Sequence, residues 1–556
     1  MNKTIDSAKI SFDVSDGGLT IRLPGFELTG CRASAEWKDQ RVCAEAWQTL
    51  EKTETSLRLL GRFPFGTLTL TIRPVTNRDG VSGIAMAPAL DLTEPVERDL
   101  RIAVLDVPVL SATHVIEHGR RMGRCGLHPL PVESLEFVSH FQVLVTRGDW
   151  TLQLSNPLRQ HDPAQFAGRV EGDRLLDFRA ETVVSRTGPG RLDLAPIRLF
   201  SSRDGHGLMT AYGESERTVD APRPERLQTG WNTWDYYRWT ITEDEVLKNA
   251  ELIRNDPVLS RHIHRIIVDD GWQYCYGEWE PNPLFPSGME ELARNIKVLG
   301  FEPGLWIAPT IIEPHSRIAQ LQPDWLAKTW FGEPILAFSC MKRNGFLLDP
   351  TQPRVKAWLR DLFRRYCDMG FTYFKLDFLG STLEAPVFAD ASVGRGEIMR
   401  HILEPIREAT LGRARILGCN YMFDGGDDLV DGVRTSGDIH ATWEAVRGNV
   451  RSIAARFWMQ GRLWDNDPDF AVCRGPDTSE DPLNALFKPS IVYYTPDCRE
   501  PNPHIASIAT ARYEEAVTLL SLVVISGGSV NLSDCLYKLN ARGLDLVRKT
   551  VAFERG

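Results

Sequence analysis

Polar and apolar residues alternate one for one along Thr67-Leu68-Thr69-Leu70-Thr71-Ile72. A period of two gives a strand one wet and one dry face. Comparable short runs recur at Leu19–Leu23, Ser56–Leu60, Phe141–Thr146 and Trp150–Leu154. Gly, Pro and Asn/Asp clusters separate them, as in Asn77-Arg78-Asp79-Gly80. Residues 1–220 are therefore expected to form an all-β sandwich domain. The Pro-rich, charged stretch Asp220–Arg226 is expected to be the linker that leaves it.

From Leu227 the period changes. Apolar stripes at helical spacing, such as Val246/Ala250/Ile253 and Val355/Leu359/Leu362/Tyr366, alternate with short apolar runs. Strands are expected at 228–234, 264–270, 303–308, 371–380, 415–420, 432–435, 462–465 and 529–532. Helices are expected at 243–253, 289–299, 353–369, 397–409, 441–460, 513–525 and 541–550. Thr242 and Glu245 suit a capping box, Pro353 a first-turn position, and Gly300 and Gly370 helix stops. Val446, Val450, Ile453 and Phe457 should form one buried stripe. This α/β pattern over 227–556 predicts a (β/α)8 TIM barrel, with 465–511 as a long rim loop.

A chain of 556 residues has room for both domains. Its net charge of −10 argues against nucleic acid or an anionic membrane as partner. No apolar run approaches the length of a membrane-spanning helix, and the N-terminus has no apolar signal core. Ten scattered cysteines with no CxxC pair exclude a zinc ribbon and fit reduced thiols, so a cytoplasmic location is expected.

Barrel enzymes take their chemistry from the C-terminal ends of the strands. Those ends carry Trp231 and Trp234; Asp269, Asp270 and Trp272; Trp306; Lys375 and Asp377; Cys419 and Asn420; Arg434 and Asp438; and Trp464 and Asp465. Tryptophan faces stack on pyranose C–H faces, and carboxylates accept hydrogen bonds from vicinal hydroxyls, so the mouth suits a sugar. Lys375 and Asp377 lie two apart, on one face of a strand, where the lysine would keep an attacking carboxylate ionised. Asp438 suits a proton donor whose pKa should be raised, although Arg434 four residues earlier favours its anion. Plainer readings stand beside these. Lys375 and Asp377 could be a structural ion pair, Asp269–Asp270 a capping turn, Asp438 a helix cap, Cys419 a packing residue, and the tryptophans rim packing.

The motifs GWNTWD, VDDGW, GLWIAP, YFKLDFL, the Cys419-Asn420 pair, RTSGD and WDNDPD, in this order, resemble the α-galactosidase (melibiase) group, glycoside hydrolase families 36 and 27. The resemblance covers about 227 to 550. It implies a retaining exo-hydrolase of terminal α-D-galactosyl residues, acting on oligosaccharides or glycoconjugates without metal or cofactor. It implies Asp377 as nucleophile and Asp438 as acid/base. Asp269 and Asp270 would hold the sugar's 4- and 6-hydroxyls, and Lys375 and Arg434 would bind ring hydroxyls. Trp234, Trp306 and Trp231 would wall the pocket, with Trp272 and Asn420 beside them and Cys419 near the 2-substituent. The β-region is shorter than the family's usual one, and the chain stops just after the helix that follows the eighth strand. A homo-oligomer is compatible with this group.

Three other outcomes share parts of the pattern. The same site could act on another α-linked sugar, such as an N-acetylgalactosaminide, or pass galactose to a sugar acceptor as raffinose and stachyose synthases do. Lys375 could instead be a Schiff-base lysine with Gly527-Gly528 as a phosphate loop, which would not need a Trp-lined acidic mouth. The third is a catalytically silent sugar-binding protein, against which both acids argue.

Overall fold

The computed structural model describes residues 10–553 apart from 16–17, 97–98, 123–124, 186–187, 218–224, 341–342, 424 and 482–509. Most of the expected linker and rim loop falls outside the described residues.

The N-terminal region folds into two antiparallel sheets. One runs through Gly18–Leu23, Phe26–Trp37, Leu100–Ser111 and Arg174–Val184. The other is centred on Gly66–Thr76 paired with Ser82–Leu92. The alternating stretch behaves as its pattern requires: Leu68, Leu70 and Ile72 are fully buried, while Thr67, Thr69 and Thr71 are half-buried. The two sheets enclose one apolar cluster that includes Leu28, Leu59, Leu90 and Val107. The region is not all-β, however. Gly205–Glu216 is a helix, capped by Asp204, whose carboxylate accepts the Gly207 N–H at 2.8 Å. Three glycines in that helix hide it from a stripe-based reading.

The second region is built on short parallel strands: β1 Gly230–Asn232, β2 Arg265–Val268, β3 Glu302–Ile307, β4 Tyr373–Leu376, β5 Arg415–Gly418, β6 Gly432–Arg434, β7 Asp465–Asp467 and β8 Asn531–Leu532. Around them lie helices α1 Glu243–Asn255, α2 Met289–Val298, α3 Pro353–Asp368, α4 Ile398–Thr410, α5 Trp443–Ala455, α6 Tyr513–Ile525 and α7 Ala541–Ala552. The helix starts follow from capping: Thr242 accepts from Glu245 N at 3.2 Å, and Pro353 opens α3. The sheet order is β7-β6-β5-β4-β3-β2-β1-β8, followed by Phe470–Ala471. Both ends of this path belong to the seventh strand position, with only Pro468 and Asp469 between them. Ser529 N also donates to Asn466 O at 2.8 Å, tying the approach to β8 to β7. This parallel sheet fits a TIM-like domain.

Two local expectations fail. The seventh strand begins at Asp465, later than the expected 462–465. Val450 is exposed, so the α5 stripe is narrower than expected. The β-rich region sits against the barrel-like region through named contacts. Arg159 Nε donates to Asp427 at 2.7 Å, Phe423 N donates to Arg120 O at 3.0 Å, and Arg456 donates to Arg121 O at 3.1 Å.

Candidate active site

Asp377 lies one residue beyond β4, and its N–H continues the ladder to Ile307 O at 3.0 Å. One carboxylate oxygen accepts Trp306 Nε1 at 3.2 Å and the other accepts Phe378 N at 2.7 Å. Trp306 sits opposite Lys375 in the β3–β4 register, so the strand pairing itself aims the indole N–H. The chain then leaves through left-handed backbone: Phe378 has φ +56°, Asn420 beyond β5 has φ +47°, and Asp469 within the seventh strand position has φ +75°. Non-glycine residues rarely adopt this region, and such strain collects at functional sites. Burial pushes the Asp377 pKa up; Lys375 works against that, and the charge of Asp438 adds to it. The two acids therefore feel one another.

Lys375 is not the direct partner of Asp377. Its ammonium donates to Asp269 Oδ2 at 2.7 Å, and both side chains are almost wholly buried. The alternation argument placed Lys375 on the right face but could not see that β2 brings a second carboxylate closer. Asp269 also accepts from Asn232 Nδ2 at 2.7 Å and Asp270 N at 2.9 Å. Asp270 accepts from Trp239 Nε1 at 2.8 Å, Tyr276 OH at 2.5 Å and Gln273 Nε2 at 2.5 Å. Both acids are thus fixed in the floor of the site.

Asp438 lies in the loop after β6, with 48% of its side chain exposed. It accepts from Arg434 Nη2 at 2.9 Å. Partial burial works to raise its pKa, but Arg434, then His440 and Arg238, outweigh it and hold the carboxyl down at about 2. A donor with a raised pKa was expected; the unliganded protein holds an anion there. Arg434 is buried and held from behind by Asp469 Oδ1 at 2.7 Å, so it faces Asp438 as a fixed cation.

The tryptophans divide. Trp231 and Trp272 are fully buried, and their indole N–H groups bond Asp534 O and Trp306 O, both at 2.9 Å. Neither presents a face to a ligand, which corrects their expected place in the wall. Trp306 is 2% exposed and acts through its N–H. Trp234 is partly exposed, with Arg238 over its ring at 4.4 Å. Trp464 is buried, and Asp465 fastens Leu227 N at 2.9 Å, so both are structural. Cys419 is buried beside the site, and burial raises its thiol pKa. Asn420 is half-buried, and its carbonyl accepts Gly380 N at 2.6 Å.

Sequence reasoning missed Asp469, Asn232, Tyr276, Gln273 and His440. The first stands in WDNDPDF, but the break at Pro468 ends the strand alternation that would have assigned it a face. Asn232 and His440 depend on contacts between distant segments, while Gln273 and Tyr276 bond Asp270 from the irregular stretch just after β2, and neither case carries a periodic signal.

The mouth of this TIM-like domain thus sets two carboxylates beside buried cations. Residues 217–398 match the family model described as Melibiase. An alpha-galactosidase of Escherichia coli is 29% identical over 136 residues, covering 22% of this chain and 18% of the relative. The probable alpha-galactosidase G of Emericella nidulans is 24% identical over 285 residues, covering 47% and 36%. These matches span a minor part of the length of those relatives. The alpha-galactosidase of Thermus thermophilus, solved with p-nitrophenyl alpha-D-galactopyranoside and also with stachyose, matches the fold with TM-score 0.63 and 21% identity, covering 90% of this chain and 95% and 100% of those two. Part of this chain is thus similar to the melibiase family, and the relatives it matches are named alpha-galactosidases.

Proposed function

We propose that this protein is a retaining exo-α-galactosidase whose domains are a β-sandwich at 1–220 and a closed (β/α)8 catalytic barrel at 227–556. The observation that carries the reading is the setting of Asp377. Its carboxylate is aimed by Trp306 Nε1 and Phe378 N, and the second acid, Asp438, is close enough to perturb its pKa. In the first step an Asp377 oxygen bonds to the anomeric carbon as the glycosidic C–O bond breaks. The leaving oxygen takes the Asp438 proton. In the second step water gives that proton back to Asp438 and its oxygen displaces Asp377. Two inversions return the α configuration.

Asp438 must hold a proton when substrate is bound. The sugar displaces water from this half-exposed carboxyl, and its hydroxyls compete for Arg434; both effects raise the pKa from its unliganded position. Asp269 and Asp270 each keep acceptor capacity toward the 4- and 6-hydroxyls. Trp234 supplies the remaining ring face. Lys375, Arg434, Cys419 and Asn420 surround the ring, and no metal or cofactor takes part. We also propose a cytoplasmic protein that acts on oligosaccharides. The same constellation serves an α-linked N-acetylgalactosaminide, or transfer of galactose to a sugar acceptor, with small changes at the rim.

The test is Asp377→Gly. It should abolish hydrolysis of an aryl α-galactoside, and azide should restore turnover with β-galactosyl azide as product. Undiminished hydrolysis by that variant removes Asp377 from its role.

A further inference from the structure

A cavity of about 1250 Å³ lies where the β-rich region meets the mouth of the barrel. It adjoins the site through Asn420 and Gly437, the residue before Asp438. Its lining holds seven arginines, of which Arg41, Arg169, Arg179 and Arg395 are already paired with carboxylates such as Asp106, Glu171, Glu181 and Asp99, so the cation it presents to a ligand is Arg451.

Arg120 and Arg121 are placed by fixed backbone. The carbonyls of Arg120 and Arg121 accept Phe423 N and an Arg456 N–H, so the barrel grips this loop of the β-rich region. The Arg121 stem lies against Gly380, where a Cβ would come within 2.7 Å of Arg121 Cδ. Gly380 is three residues past Asp377. On the opposite wall Arg451 projects from α5, exposed and without an ion-pair partner among the described residues. An arginine fork at the edge of a cavity binds oxyanions more strongly than neutral hydroxyls.

We infer that this cavity receives the leaving-group portion of the substrate, and that this portion carries an oxyanion, either a carboxylate or a sulfate ester. The inference rests on the proposed role of Asp438: the general acid stands beside the leaving oxygen, so the space opening from Gly437 lies on the leaving-group side. The preferred substrate is then a galactosyl residue α-linked to an acidic sugar.

Three disaccharides test this, all with the same primary leaving oxygen: α-1,6-galactosyl-glucose, α-1,6-galactosyl-gluconate, and α-1,6-galactosyl-glucose carrying one sulfate on the glucose. At low salt kcat/KM should be about tenfold higher for at least one anionic substrate than for the neutral one, and added salt should shrink that ratio. Which anion gains identifies the source of the charge. Arg451→Ala should bring the ratio toward one and leave hydrolysis of an uncharged aryl α-galactoside unchanged. Equal kcat/KM for all three disaccharides, or a ratio indifferent to Arg451→Ala, overturns the inference while the α-galactosidase reading stands. Failure of the wild-type protein to cleave the aryl α-galactoside overturns both.

Discussion

Lys375 Nζ is hydrogen-bonded to Asp269 Oδ2 at 2.7 Å, and the pair is buried beneath the carboxylate that the lysine was expected to serve. The lysine therefore acts on Asp377 at a distance, its charge opposing the effect of burial. A buried pair of this kind is costly to break from one side, because the survivor is left charged and unpaired. Asp269→Ala should cost about 3–5 kcal/mol in urea unfolding. Adding Lys375→Met to that variant should recover a large part of the loss. If the double variant is less stable than either single one, the pair is not the unit described here.

Asp438 and Asp377 are distinguished by what each removal does to the leaving group. Asp438→Ala should slow an unactivated galactoside by roughly 10²–10⁴-fold, and an activated aryl galactoside much less, since protonation matters most for the poor leaving group. Azide should then yield α-galactosyl azide, the anomer opposite to that from Asp377→Gly. The two acids should lie about 5–6 Å apart in a complex, as retention requires. An equal loss on both substrates would take the acid role away from Asp438.

How much of this was visible in the sequence depends on the range of the contact. The Thr67–Ile72 alternation, the Thr242 cap and the α3 stripe are local, and the structure has all three. The strand ends that form the mouth were legible for the same reason, because each closes a short apolar run. The wall was not. Trp231 and Trp306 both sit at strand ends, yet Trp231 is roofed by Asp534 while Trp306 points at Asp377. Which way an indole turns depends on a neighbour 303 residues away for Trp231 and 71 away for Trp306. The helix at Gly205–Glu216 failed for a different reason: its glycines argue locally for a loop, and contacts such as Tyr212 OH to Asn156 O at 2.9 Å override them.

The pH dependence follows from the unequal acids. Asp438 gives up its proton near 2, and Asp377 does so later, above the ordinary 3.8. Between the two steps one proton remains, mostly on Asp377; the productive arrangement carries that same proton on Asp438 instead, so kcat/KM should still peak on the acidic side, between the two steps. Arg434→Gln removes the principal cation holding Asp438 down. The lower step should then rise, and the acid limb should move to higher pH. A wild-type plateau extending into alkaline pH, or an acid limb unmoved in Arg434→Gln, would contradict this electrostatic picture.

His161 joins the two regions and should make their contact sensitive to pH. Its Nδ1 lies 3.3 Å from Asp162, its Nε2 bonds Ser392 O at 3.0 Å, and Glu397 stands 3.7 Å away. The hydrogen bond to Asp162 is the largest influence, and the His161 pKa rises to about 9. The folded value lies above the ordinary 6.5, so the protonated ring stabilises the contact fully below 6.5, and that contribution is lost as pH rises through about 9. The ring is 48% exposed, so water screens the effect and the change is small. Thermal unfolding should show a decline in Tm over that window, and His161→Gln should remove this part of the decline while leaving the acidic side of the curve in place. A decline of the same size in the variant would mean that another group is responsible.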